Sequence, residues 1–450
     1  MSIQSSIDRV RYPTLTEQGQ AMLRFMREHP AAPIYRNHSG NRLTATEIEQ
    51  LQLFEQHNIN APAGWRQGEK PAWFSDFLAD AFAQVPYYRA LGGPALGFED
   101  LPTVCRADFA ADITRFVPDS LALERLIHFS TTGTTGHPLL VPSHPVVAGR
   151  YLTFHKRALK RLGIDLHHRH GQVGVVLVGY QRHCFTYVSV TPTMDESGLA
   201  KINLHPDDWR DPADRARYLD ALAPEIMTGD PLSLTELSTL KLNTRPRALL
   251  SVSMAVSQGL RKALETCFDC PVLDIYSLNE VGPVAVFDAA LNGHLLLQPQ
   301  LYVEILDPQG QPVAAGERGE ITVTGGFNFC LPLLRYRTGD YASLSFGVDG
   351  PVLMGLSGRA PVRFRTVSGA WVNNIEVTHA LKSLPLAQYG FHQRSDGTCV
   401  LRLNAASMPL AAAASCALAP LFGTDKILLE LITTQDKIIQ YTSDLEGAFL

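Results

Sequence analysis

The stretch from residue 145 to residue 278 alternates amphipathic with continuously apolar segments, and few folds accept that order. At 145–162, Val147, Tyr151, Phe154, Ala158 and Leu162 recur at helical spacing on one stripe, with Arg150, Lys156, Arg157, Lys160 and Arg161 largely off it. "QVGVVLVG" then reads as a strand buried on both faces. "RPRALLSVS" repeats the strand signal, "SQGLRKALETCF" is helical, and "CPVLDIYSL" is a strand again. Strands joined through helices imply crossover units in a largely parallel sheet, the α/β class.

From residue 301 the texture changes. "LYVEILDPQGQPVAAGERGEITVTG" is two alternating runs around a turn-rich middle, and "RTGDYASLSFGVDGPVLMGLSGR" follows as a second β-hairpin. Beyond Arg359, short strands mix with the Ala-rich helix "PLAAAASCALAPLF", enough for one small α+β domain. The expected organisation is a large domain at 1–358, with parallel-rich sheets and a β-hairpin subdomain, and a small domain at 359–450.

Charge narrows the partners. A net charge of -5 over 450 residues supplies no basic footprint for nucleic acid or an anionic membrane, so a small-molecule partner is expected. The N-terminus has no apolar h-region, and no uninterrupted apolar run approaches about 18 residues, which reads as a soluble, cytoplasmic chain. The 7 cysteines are odd in number and lack the spacing of a disulfide framework. "CFDC" at 267–270 has redox or zinc spacing but no second pair, and "HHRH" at 167–170 reads as a solvated turn before a strand. Oligomeric state is not legible.

Four motifs stand in order: "STTGTTGHP" (130–138), "DIYSLNEVGP" (274–283), "LPLLRYRTGDYASL" (331–344) and "GLSGRAPVRFRTVSGAWVNNIEV" (355–377). The first lacks the Lys-Ser/Thr of a Walker loop, yet glycine lets backbone N–H groups turn inward and threonine adds hydroxyl donors, a nest that needs no lysine. Taken alone it reads as a small-residue turn, just as "TGD" alone reads as a turn and Glu280 alone as a solvated carboxylate at a helix start. The ordered set resembles the adenylate-forming superfamily of acyl-CoA synthetases and adenylation domains, within it the phenylacetate-CoA ligase-like branch.

The resemblance implies a site. Thr131, Thr132, Gly133, Thr134, Thr135 and Gly136 would hold the β and γ phosphates of ATP. Tyr276 would pack near the adenine, Asn279 would donate to phosphate, and Glu280 would bind the Mg2+ that bridges phosphates, since a hard cation wants carboxylate oxygen. Asp340 would accept from both ribose hydroxyls, with Arg359 a second ribose and phosphate contact. Ser253, Met254 and Ala255 stand where the family has a glycine-rich adenine platform. "TTQDKIIQYTSDLEG" resembles the family's terminal segment, placing Lys437 on its catalytic lysine, although Asp436 replaces the expected glycine.

The implied function is ATP-dependent activation of an aryl or other small carboxylic acid, with Tyr180, His183 and Phe185 in the stretch that lines the acyl pocket. CoA, an acyl carrier protein or an amine would accept the acyl group. The family's Asp-rich hinge is replaced by Ala360, Pro361 and Val362 after Arg359, which restricts a pivot there and disfavours free CoA. The alternative is a catalytically degenerate nucleotide- or acid-binding regulatory protein on the same fold.

Overall fold

The computed structural model describes residues 9–62, 65–92, 97–130, 139–358, 362–434 and 437–448. The chain forms two compact units, one of Met1–Ala45, Leu166–Asp274 and Pro361–Leu450, the other of Thr46–Asp165 and Ile275–Ala360. The strand Val272–Leu278 gives its first residues to one unit and its last to the other.

In the first unit, Ala248–Ser251, Ile226–Gly229, Val173–Gly179 and Ser197–Asn203 lie side by side in parallel, with Leu249 and Leu250 also opposite Val272 and Leu273 of the next strand. Tyr187–Thr191 closes the other edge antiparallel to Ser197–Asn203. These are the near-continuous apolar runs of the sequence, and Val176, Ile202, Met227 and Leu249 are fully buried as parallel strands covered on both faces require. The helix Gln258–Phe268 packs Leu260, Leu264 and Phe268 into this core at intervals of one helical turn. Its N-cap Ser257 accepts from Leu260 N and donates to Leu384 O, so one hydroxyl both starts the helix and holds the C-terminal segment.

That C-terminal segment has its own core, built from Phe364, Val377, Leu401, Leu418 and Phe422 among others. Its four-stranded sheet runs Ile427–Ile432, Cys399–Asn404, Tyr389–Gln393, Tyr441–Ser443. Ala405–Phe422 is long and apolar enough to cross a membrane by length and composition, at mean hydropathy 1.6, and it packs Ala411, Ala414, Leu418 and Phe422 into this core.

"HHRH" differs from its sequence reading. His168 is buried, its Nδ1 lies 2.6 Å from Glu225 Oε2, and Glu225 also accepts from the backbone N–H of His167 and His168. The turn folds down because Gly174 has no side chain: a Cβ there would meet the His168 ring at 2.2 Å.

The second unit is dominated by antiparallel pairing, in the order Leu301–Leu306, Arg318–Gly325, Leu333–Gly347, Gly350–Gly358, Gly293–Leu296, Gly282–Asp288 and then residues 275–278. Both expected hairpins are present, with Val303 opposite Val323 and Leu344 opposite Leu353. The helix Pro145–Lys160 buries Val147, Phe154 and Ala158 as its stripe predicts. Arg157, placed by that stripe toward solvent, is instead only 6% exposed, because its guanidinium turns in to the backbone carbonyls of Asn58 and Ala61.

Candidate active site

Glu280 sits in the turn between Val272–Leu278 and Gly282–Asp288, where a carboxylate would ordinarily be solvated. It is 6% exposed, because the turn is pulled inward from three sides. Asn328 Nδ2 donates to Glu280 O at 3.1 Å, Gln298 Nε2 to Val281 O at 3.2 Å, and Phe327 N to Val281 O at 3.1 Å. Gly282 completes the turn at φ 89°, and a Cβ on it would press on Tyr151 at 2.9 Å. The Tyr336 hydroxyl donates to Glu280 Oε1 at 3.1 Å. Burial, then the charge of Glu280, pushes the Tyr151 phenol up to about 12 and holds Tyr336 well above its ordinary range, so both stay protonated. The one side-chain hydrogen bond to the Glu280 carboxylate among the described residues comes from the neutral Tyr336 hydroxyl.

Asp340 owes its position to a bulge. The run from Arg337 to Tyr341 lies opposite the shorter run from Glu320 to Thr322, so the surplus chain loops out, with Gly339 at φ 78°. Glu320 holds the loop: one oxygen accepts from Gly339 N at 2.9 Å, and the other from Arg337 Nε at 2.7 Å. The bulge aims Asp340 at Tyr276, whose hydroxyl donates to Asp340 Oδ2 at 2.8 Å. Burial, followed by the Asp340 charge, keeps the Tyr276 phenol neutral as a donor. Gly358 pairs with Asp340 across the hairpin; Arg359, next in the chain, lies outside the described residues.

The expected phosphate loop, Thr131 to Gly136, also lies outside the described residues, but its anchors do not. Ile127–Ser130 and Leu140–Ser143 pair antiparallel with Ser130 opposite Leu140, which brings the two ends of the loop together. Directly after, His144 caps the helix Pro145–Lys160 by accepting from Val146 N at Nδ1. Asn328, which sequence reasoning missed, binds both parts: its Nδ2 donates to Pro142 O at 2.9 Å and to Glu280 O, while its Oδ1 accepts from Cys330 N. It is 3% exposed, and a buried side-chain amide with every contact made to backbone is a positioning device. Tyr336 was within reach of the sequence, inside "RYRTGD"; Asn328, in the unremarkable "GGFNFC", left no signal.

In the other unit, Lys437 Nζ donates to Ser253 O at 3.2 Å. Ser253 holds φ 70°, a left-handed conformation that favours glycine and is strained for serine. Ser253 and Ala255 are exposed and Met254 half-buried. The Tyr180 and His205 rings lie 6.0 Å apart, Phe185 is 51% exposed beside Tyr187, and His183 is exposed. In the second unit Asn279 is exposed beside Glu280. Cys267 is exposed and Cys270 buried, both free thiols.

Residues 130–329 match the family model described as AMP-binding enzyme. The phenylacetate-coenzyme A ligase of Escherichia coli (strain K12) is 37% identical over 92 residues, 20% of this chain and 21% of that protein. That of Thermus thermophilus is 26% identical over 304 residues, 60% of this chain and 63% of that protein. The matches thus span less than two thirds of these relatives. A 2-hydroxyisobutyryl-CoA ligase solved in the postadenylation state superposes with TM-score 0.59 at 16% identity, covering 86% of this chain and 95% of that one, which establishes a common fold.

Proposed function

Because residues 130–329 carry an AMP-binding enzyme domain, we propose that the chain activates a carboxylic acid with ATP and then transfers the acyl group to a thiol. A carboxylate oxygen of the acid attacks the α-phosphorus, the bond to the bridging oxygen breaks, and pyrophosphate leaves. The acceptor sulfur then attacks the acyl carbon and AMP departs. The observation that carries this reading is the pairing of Asp340 with Tyr276 at 2.8 Å, beside a strand whose following turn buries Glu280.

Asp340 would hold the ribose hydroxyls, with Tyr276 fixing the carboxylate that accepts them. Arg359 would add a cation to the ribose and α-phosphate, and residues 131–136 would wrap the outgoing phosphates. Mg2+, when bound, neutralises phosphate charge; Glu280 is the carboxylate for it, and a single protein carboxylate completed by substrate phosphates suits this ion. Two anions about 4 Å apart repel by about 4 kcal/mol at an effective dielectric near 20, and Lys437 would supply the cation that offsets it. Residues 359–450 would then act as the lid that carries this lysine. Tyr180, His183 and Phe185 would face the acid, and their ring content favours a small aryl acid. Phenylacetate-coenzyme A ligase is the name carried by the curated relatives, and an aryl acid agrees with it.

The deciding experiment is exchange of labelled pyrophosphate into ATP over a panel of aryl and short aliphatic acids. Acid-dependent exchange is expected; ATP binding without exchange for any acid would instead favour the regulatory reading, which the serine at position 253 supports. CoA and a carrier protein offered in turn to an active mixture identify the acceptor. Acyl-CoA formation as fast as exchange would overturn the idea that Pro361 restricts the pivot.

A further inference from the structure

A cavity of about 560 Å³ opens beside the C-terminal end of the helix Pro145–Lys160, within the second unit. Its floor is apolar: Trp65, Leu297 and Phe346 line it, with the two aromatic rings edge to face at 5.4 Å. Its wall is cationic, with Arg66, Arg157, Lys160 and Arg161. Arg161 is balanced, 2.9 Å from Asp288 and 3.0 Å from Asp349. Arg66, Arg157 and Lys160 pair with no carboxylate among the described residues.

Structure alone does not require those charges. Arg157 is 6% exposed and its terminal nitrogens donate to the carbonyls of Asn58 and Ala61, a task that a neutral donor could perform. Its Nε is buried without a hydrogen-bond partner among the described residues, and burial pulls the guanidinium down to about 10. Lys160 Nζ donates to Asn60 Oδ1 at 2.7 Å, again a neutral partner. The helix end contributes only about half a unit of negative charge. A buried cation kept without an anion is costly unless an anion arrives.

We propose that this cavity binds a phosphorylated nucleoside, its ring on the Trp65 and Phe346 floor and its phosphate among Arg66, Arg157 and Lys160. The volume lies within the range of small-molecule pockets. Arg157 stands six residues beyond Tyr151 on one helix, about 9 Å along its axis, and none of Tyr151, Tyr276, Glu280 and Asp340 lines the cavity. The ligand could be a free nucleotide or the nucleotide end of CoA, which share this chemistry. The assignment does not depend on the proposed activity.

The test titrates adenosine 3′,5′-bisphosphate, AMP, CoA and inorganic phosphate into the full chain by calorimetry, with tryptophan fluorescence as a second signal. Three proteins are compared: the native chain, Arg66→Glu with Lys160→Glu, and Asp340→Ala. Both reversed residues are exposed, so folding is expected to survive. The bisphosphate should bind at one equivalent, weaken at least tenfold in the double variant, and be unaffected by Asp340→Ala. In the Asp340→Ala protein, CoA displacing the bisphosphate one for one marks the CoA source, and AMP binding as tightly as CoA marks a free nucleotide. Absence of saturable binding, insensitivity to the charge reversal, loss in Asp340→Ala, or inorganic phosphate binding as tightly as the nucleotides would each overturn the proposal.

Discussion

The hydroxyl of Tyr276 donates to Asp340 Oδ2 at 2.8 Å, tying the end of one strand to a bulge in another. The carboxylate is thereby oriented before any nucleotide binds, which lowers the ordering cost of binding. Asp340→Ala should therefore raise the KM for ATP at least tenfold, because two charge-assisted bonds at about 1.5 to 3 kcal/mol each disappear. Tyr276→Phe should cost less, about fivefold, since the carboxylate and its bonds to the ribose remain and only about 1 kcal/mol of the anchoring bond is felt in ATP binding. Exchange kinetics over a range of ATP concentrations measure both, and an unchanged KM in Asp340→Ala would remove the ribose assignment.

Lys437 is exposed and its one hydrogen bond among the described residues is to Ser253 O, so Lys437→Ala should leave the melting temperature within a degree or two. Adenylate formation should fall by orders of magnitude, while consumption of a synthetic acyl-adenylate is spared. Equal loss in both half-reactions would place the cation elsewhere.

Asn328 offers a sharper separation of structure from function. Asn328→Leu removes the bonds to Pro142 O and Glu280 O and leaves buried carbonyls unpaired, for a stability loss of about 2 to 3 kcal/mol. If Asn328 positions the phosphate loop against Glu280, the folded variant should also show a raised KM for ATP with a KM for the acid near native. A variant that is only less stable, with native KM values, would reduce Asn328 to a packing residue.

Gly259 lies against the chain at Ser383, where a Cβ would come within 2.2 Å of the Ser383 carbonyl. Gly259→Ala should loosen the C-terminal segment from the helix Gln258–Phe268 and spare the segment's own core. Faster hydrogen exchange at residues 380–387, with protection retained in the strand Cys399–Asn404, is the expected pattern.

His155 gives a pH signature. Burial lowers its imidazole to about 4, so between about pH 6.5 and 4 the unfolded chain binds the proton more readily than the folded one. Its contribution is fully present above about 6.5 and fades as pH falls toward 4, by at most about 3 kcal/mol. Urea titrations at pH 7.5 and pH 5 should differ less for His155→Phe than for the native chain.

Much of the scaffold was legible in one dimension. The apolar runs at 173–179, 248–251 and 272–278 became strands where they were expected, since strand and helix periods are carried by neighbours in sequence. Asp340 and Glu280 could also be named as candidates, because motif order links residue types to one chemistry. Their environments were not. Glu280 in a hairpin turn looks solvated until Asn328, Gln298 and Phe327 draw the turn inward, and Asp340 meets Tyr276 only because surplus chain loops out between Arg337 and Tyr341. Arg157 likewise occupied a solvent-side position on its helix, and carbonyls about a hundred residues earlier in the chain turned it inward. Periodicity reports which face a side chain leaves from; which distant backbone group it then meets depends on packing between elements, and that has no local signature.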